Sequence, residues 1–487
     1  MRISSIIPCV RNANGSGHEQ RRQTDGPGKD EVNRMNDFRK TAQEMLEFIR
    51  ISPTCFHAVA NIGRMLEAAG FQQLQEKEEW KLEKGGRYYT ERNDSSVIAF
   101  VIPEKEVGIR GFHMAVAHSD SPCFKIKEKP ELTVEEHYLR LNTEKYGGMI
   151  LSTWLDRPLS IAGRLAVKNG NGIEGRLVNI DRDLCVIPNV AIHMNREMNK
   201  GVEYNPQVDL LPLLADVSFD EYDTHTTYDA QTASENAEEQ PETVEKPTLA
   251  ALAAEAAGVD AETILGEDLF LYTRQEGKMI GAKGEFVLSP RLDDLQSAFA
   301  LTKAFTESTP AEYINLCAVF DNEEVGSGTR QGADSTFLED TLQRITEGLQ
   351  EGHSTYLRWV ADSFLISADN AHAVHPNHPE KADPANRPYL NGGIVIKYHG
   401  SQKYTTDGIS AAKMKDYCER AKVPYQTYAN RSDIAGGSTL GNISTAHVSV
   451  SSVDIGLPQL AMHSAVETAG MKDTEYAVRA LKEFWDE

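Results

Sequence analysis

Apolar and polar positions along this chain fall into blocks of different period. Between Asn36 and Ile51 the apolar residues Phe38, Ala42, Met45, Leu46 and Ile49 recur at helical spacing. Ser52-Pro53-Thr54 stops that helix and caps a second, which runs to about Ala69 with Gly70 as its stop. VIAFVIP (97–103) and HMAVAHSD (113–120) predict strands. After Pro122 the period changes to two, as in Tyr138–Asn142, and Lys168-Asn-Gly-Asn-Gly172 predicts a hairpin joining 163–167 to 173–178. A short helix is expected over Thr248–Ala257. From Leu269 strands and helices alternate again. Strands are predicted at 269–274, Phe286–Ser289, Tyr313–Phe320, Ser363–Ala368, Gly392–Tyr398 and His447–Asp454. Helices are predicted from the segment Pro290–Asp294 to about Glu307, at 336–349, at Gly408–Ala421 and at Asp473–Trp485. This alternation predicts an α/β fold with a largely parallel sheet, whose sites lie beyond the carboxyl ends of the strands. The block at 124–215 reads as a β-rich insertion forming a second domain.

Length supports that division, since 487 residues exceed one ordinary core. The formal charge of −23 argues against nucleic-acid and anionic-membrane partners. Cys9, Cys55, Cys123, Cys185, Cys317 and Cys418 are scattered without a CxxC pair, as expected of free thiols in a reducing, cytoplasmic compartment. No run approaches the roughly 20 apolar residues that span a bilayer, and MRISSIIPCV is too short for a signal peptide. Residues 1–35 are expected to be a disordered extension, with Met35 a candidate start of the folded part. The Thr-, Glu- and Ala-rich stretch 218–248 is expected to be a mobile acidic loop.

The candidate chemistry clusters where strands end. The buried strand Tyr313–Phe320 runs into Asp321-Asn322-Glu323-Glu324 and a Gly-rich turn. Adjacent side chains at a strand end point in different directions, so Glu323 and Glu324 can do two jobs, one binding a metal and one moving protons. Two glutamates opening a solvated helix would look the same. His118 ends the strand at 113–117, with Asp120 two residues on; Asp293 lies in SPRLDD, Asp369 follows SFLISA, and His463 lies in QLAMHS. Two imidazoles and three carboxylates suit Zn²⁺, with Mn²⁺ or Co²⁺ as alternatives, and a pair of metals requires one bridging carboxylate. In HxD, Asp120 can accept the spare N–H of His118 and fix its tautomer. Of His372, His375 and His378, only His372 is read as a substrate or proton contact.

AHSDSPCFKIK, WLDRPLS, SPRLDDLQSA, FDNEEVGSGTRQGADS, SADNAHAVHPN and QLAMHS resemble, in order, the aspartyl aminopeptidase and vacuolar aminopeptidase I family of cocatalytic zinc metallopeptidases, in a bacterial-type member. The resemblance implies a zinc-exopeptidase-like α/β fold, a mixed sheet flanked by helices, in a catalytic domain (36–121 and 281–487) split by an inserted β-rich dimerisation and lid domain (122–280). It also implies dimers assembled into a tetrahedral dodecamer. Carried over by motif, His118, Asp293 and Asp369 would hold one Zn²⁺. Asp293, Glu324 and His463 would hold the second, with Asp293 bridging. Glu323 would be the general base and Asp120 the partner behind His118. His193, in VAIHMNR, would reach a neighbouring active site across the dimer, and His372 and Lys397 would lie near the substrate. The expected activity is removal of single N-terminal residues from peptides, acidic (Asp, Glu) or neutral (such as Leu). Alternatives are a metal-dependent deacylase or amidohydrolase on a related site, or a non-catalytic, self-assembling metal-bound scaffold.

Overall fold

Residues 29–104, 108–217 and 248–487 are described by the computed structural model. A nine-stranded sheet forms its centre. Across the sheet the strands are Gln72–Gln73, Arg87–Arg92, Ser96–Val101, Tyr313–Phe320, Gly111–His118, Phe364–Ala368, Ser451–Gly456, Ile394–Tyr398 and Tyr425–Ala429. The four from Tyr313–Phe320 to Ser451–Gly456 are parallel. Ser96–Val101 and Ile394–Tyr398, which flank them, run antiparallel to Tyr313–Phe320 and Ser451–Gly456 respectively, so the sheet is mixed, as the resemblance implies.

Every residue of Tyr313–Phe320 and Gly111–His118 is buried, because helices cover both faces. The two-residue period sorts their side chains. Ala115, Ala117, Cys317 and Val319 share a core with Leu295 and Phe299 of the helix Leu292–Thr306 and with Leu481 and Phe484 of the helix Asp473–Trp485. Met114, Val116, Leu316 and Ala318 pack instead with Phe337 and Leu342 of the helix Phe337–Gly348.

A second sheet takes all six of its strands from residues 123–273 and is antiparallel throughout. It contains the expected hairpin, with Asn169 paired to Gly172 and Gly170 at φ 58° in the turn. Phe124, Trp154, Leu165 and Leu269 build its core beneath the helix Leu249–Ala257. A third, five-stranded sheet pairs Phe286–Ser289 with Glu467–Gly470, next to the loop that carries His463. Lys278–Ile280, expected at the end of the inserted block, pairs with Phe286–Ser289 in this third sheet.

Several local expectations change. The first helix is Lys29–Arg50, so regular structure begins before Met35. Residues 1–28 of the expected extension, and the acidic loop up to 247, lie outside the described residues. Thr54 occupies the position before the helix Cys55–Ala68, but its hydroxyl pairs with Nδ1 of His57 at 2.9 Å and does not cap the backbone. His447 ends a helix, Leu440–His447, and the strand expected there starts at Ser451. Among the described residues no helix is long and apolar enough to cross a membrane.

Candidate metal centre

The parallel strands deliver their chemistry at one edge. Gly111–His118 ends in His118, Tyr313–Phe320 leads into Glu323 and Glu324, and Phe364–Ala368 leads into Asp369. Asp293 arrives from the start of the helix Leu292–Thr306. His463 lies past the strand Pro458–Leu460 with φ 67°, a left-handed backbone that aims the ring back at the strand ends.

Asp293 stands between the two imidazoles. Its Oδ1 lies 3.5 Å from Nε2 of His118, and its Oδ2 lies 3.4 Å from Nε2 of His463. Oε1 of Glu324 is 3.5 Å from the same His463 nitrogen. Ligand atoms of His118, Asp293 and Glu324 lie within 4.8 Å of one another, as do those of Asp293, Asp294 and Asp369. Oδ1 of Asp293 and Oε1 of Glu324 are buried without a hydrogen-bond partner. Buried carboxylate oxygens left unpaired are costly, and a cation held among them removes that cost.

Each imidazole is oriented from behind. Nδ1 of His118 lies 3.3 Å from Oδ1 of Asp120 and 3.1 Å from its carbonyl, which leaves Nε2 to face Asp293. Nδ1 of His463 faces the carbonyl of Gly148 at 2.7 Å. Asp120 also accepts the backbone N–H groups of Glu323 (3.1 Å) and Glu324 (3.2 Å), tying the loop after one strand to the end of its neighbour. Buried Glu467 accepts the N–H of Asp293 at 3.1 Å and that of His463 at 2.7 Å.

Electrostatics separates the two adjacent glutamates from Asp293. Burial, with repulsion from Asp369 and Asp120, pushes Glu323 up to about 7, an attraction to His118 partly opposing it. Burial and the Asp293 charge push Glu324 well above the usual carboxylate range. Burial also acts against an ionised Asp293, but the attraction of the His118 and His463 imidazoles that face its two oxygens outweighs it and holds the group low. The carboxylate of Glu323 makes no hydrogen bond or ion pair with the described residues and lines a cavity of about 340 Å³.

The sequence-predicted residues divide cleanly. His118, Asp293, Glu323, Glu324, Asp369, His372, Lys397 and His463 all line that cavity, and Asp120 lies behind it. Lys397 is buried, and its ammonium donates to the carbonyls of Asp369 (2.7 Å) and Asn370 (3.3 Å), 3.6 Å from the Asp369 carboxylate. His193 stands exposed in a turn after Ala191 and does not line the cavity. His375 and His378 are exposed, with ring centroids 5.3 Å apart. Sequence reasoning missed Tyr404, Tyr428 and Thr439 on the cavity wall, and Tyr146, Gly148 and Glu467 behind the ligands. SPRLDD carried a visible signal for Asp294, whose Oδ2 accepts the N–H of His118 at 3.3 Å.

Residues 48–485 match the family model described as aminopeptidase I zinc metalloprotease (M18). The chain belongs to the M18 family of zinc metallopeptidases. It is 46% identical over 449 residues to a probable M18 family aminopeptidase 2 of Clostridium novyi (strain NT), covering 92% of this chain and 99% of that one. The corresponding protein of Pseudomonas putida (strain KT2440) is 40% identical over 442 residues, covering 91% and 97%. Among solved structures, a chain of the Ape4 and Nbr1 complex superimposes with a TM-score of 0.84 at 36% identity, covering 93% of this chain and 86% of that chain. The crystal structure of prApe1 gives 0.82 at 27% identity, covering 94% and 98%. This M18 chain is therefore a metallo-aminopeptidase, a hydrolase of peptide bonds, and zinc is the metal of its family. The donor set of imidazole nitrogens and carboxylate oxygens fits zinc.

Proposed function

We propose that this M18 protein removes single N-terminal residues from peptides at a two-zinc centre, with Glu323 as the general base. The observation that carries the reading is Asp293, whose two oxygens each face a different imidazole. His118, Asp293 and Asp369 would hold one zinc, and Asp293, Glu324 and His463 the other. When bound, the zinc pair supplies Lewis-acid activation of water and of the scissile carbonyl. Glu323, raised to about 7 and without a side-chain partner among the described residues, takes a proton from the attacking water as the C–O bond forms. It then gives that proton to the leaving amine nitrogen as the C–N bond breaks. Asp120 keeps the His118 tautomer and, through two backbone N–H groups, the position of Glu323.

Specificity is read from the cavity wall. Lys397 is a buried cation there, kept charged against the cost of burial by Asp369, and this supports acidic first residues. Tyr404, Tyr428 and Met462 on the same wall support a neutral residue such as Leu. His372 lines the cavity and would contact the substrate. The block 122–280 is read as an inserted assembly domain between catalytic segments 36–121 and 281–487. Its exposed His193 would complete the site of a neighbouring copy. A homo-oligomer is supported by the S. cerevisiae mApe1 dodecamer, which superimposes with a TM-score of 0.76 at 26% identity.

The test is hydrolysis of Asp-, Glu-, Leu- and Ala-anilides with Zn²⁺, Mn²⁺ or Co²⁺ added in turn and a chelator control. Chelator-sensitive release of the free amine is expected, with Asp and Glu ahead of Leu and Ala. No release from any of the four, in protein shown to hold two metals, contradicts the reading and moves N-acyl substrates to the front.

A further inference from the structure

The strand Tyr138–Tyr146 belongs to the second sheet, yet its last residue and the chain that leaves it reach behind both candidate imidazole ligands, His118 through Asp120 and His463 directly. Tyr146 donates its hydroxyl proton to Oδ2 of Asp120 at 2.7 Å. The Tyr146 hydroxyl oxygen in turn accepts from the side-chain nitrogen of Asn322 at 2.8 Å. The amide oxygen of Asn322 is taken by Thr329 (2.7 Å) and Gln331 (2.8 Å), so its nitrogen is the group left to meet the phenol. With one donor aimed at it, the phenol has a single proton to give, and that proton goes to Asp120. Asp120 in turn lies against Nδ1 of His118.

Two residues on, the Gly148 carbonyl faces Nδ1 of His463 at 2.7 Å. Ile150 donates its N–H to the His463 carbonyl at 2.9 Å, and Thr153 accepts the N–H of Ala465 at 2.9 Å. Gly147, between the two contacts, has φ 79°, and a Cβ there would lie 3.2 Å from Cβ of Glu324. The segment therefore lies directly against the loop that carries both glutamates.

We infer that residues 146–153 form a positioning strap. Tyr146 acting through Asp120, and the Gly148 carbonyl directly, set which nitrogen of His118 and of His463 is presented to zinc. The second sheet then maintains the metal centre of its own subunit, a role separate from any in assembly. The inference rests on His118 and His463 being ligands. It is independent of His193.

Tyr146→Phe in the full-length, zinc-loaded protein tests it, because the ring and its edge-on packing against Phe270 are retained while the hydroxyl is lost. Outer hydrogen-bond partners of zinc ligands typically matter by about 10–100-fold in affinity or activity. Zinc transfer to a chromogenic chelator is expected to accelerate by about that factor. The turnover number should fall to a similar extent while KM, melting temperature and solution size stay at parent values. Asn322→Gly suits the positive φ at that position and deletes the amide that aims the phenol, so it should give a smaller change of the same kind. Parent-like zinc release and turnover in Tyr146→Phe overturn the strap. His118→Ala reads the underlying site separately. Faster zinc loss there beside an unchanged Tyr146→Phe overturns the strap alone, whereas parent-like zinc retention in His118→Ala overturns the ligand assignment and the strap together.

Discussion

One strand carries two buried histidines that the fold uses in opposite ways. His113 lies near the amino end of Gly111–His118 and His118 closes its carboxyl end. Both are almost wholly buried, at 3% and 1% exposure. His113 is sandwiched between aromatic rings, with centroids 3.7 Å from Tyr313 and 4.6 Å from Phe484. Burial, opposed mainly by Glu487, lowers its pKa from 6.5 to about 4. Burial acts against a charged His118 as well, but Asp120 and Asp293 outweigh it and raise that group well above 6.5. Residue type and burial are the same. The difference lies in what converges at each end of the sheet: packing at the amino end, and loops bearing carboxylates at the carboxyl end.

The comparison breaks most severely at the carboxyl end. Glu323→Gln should lower turnover by about 10²–10⁴-fold, the range typical of a general base, while zinc content and melting temperature hold. Parallel steady-state kinetics and metal analysis check this, and a variant that keeps parent turnover would remove Glu323 from the mechanism. At the amino end the expected effect is on stability alone. As pH falls, the unfolded chain protonates His113 first, near 6.5, while the folded chain resists until about 4. Stability from this residue is therefore complete above 6.5 and lost on the way to 4, by about 3 kcal/mol. Urea midpoints of His113→Phe should show a correspondingly flatter pH dependence over that window, with catalysis at neutral pH unchanged. The smallest effect belongs to His375→Ala and His378→Ala, whose exposed rings lie in a loop; stability should move by no more than about 0.5 kcal/mol, with zinc content constant.

What could be seen in the sequence follows the same division. His118, the NEE run and Asp369 were visible because each closes or closely follows a short apolar strand, so local pattern and chemistry coincide. Tyr146, Gly148 and Glu467 had no local signature. They act on groups 26, 315 and 174 residues away in the chain, through hydrogen bonds that only the folded arrangement brings together. The helix Leu440–His447 escaped notice because Gly441, Asn442, Ile443 and Thr445 are weak helix formers, and packing of Leu440 into the core decides the outcome. Thr54 illustrates the converse: a residue of capping type whose hydroxyl is used by a neighbouring side chain. The antiparallel flanks of the central sheet were implied by the family resemblance and not by the apolar pattern, because strand direction depends on connection topology, which short apolar runs do not encode.

An anomalous difference map at the zinc edge, from crystals of the zinc-loaded protein, tests the central claim most directly. Two peaks per subunit are expected, both contacted by Asp293, one between His118 and Asp369 and the other between Glu324 and His463. A single peak, or a second peak out of contact with Asp293, would contradict it.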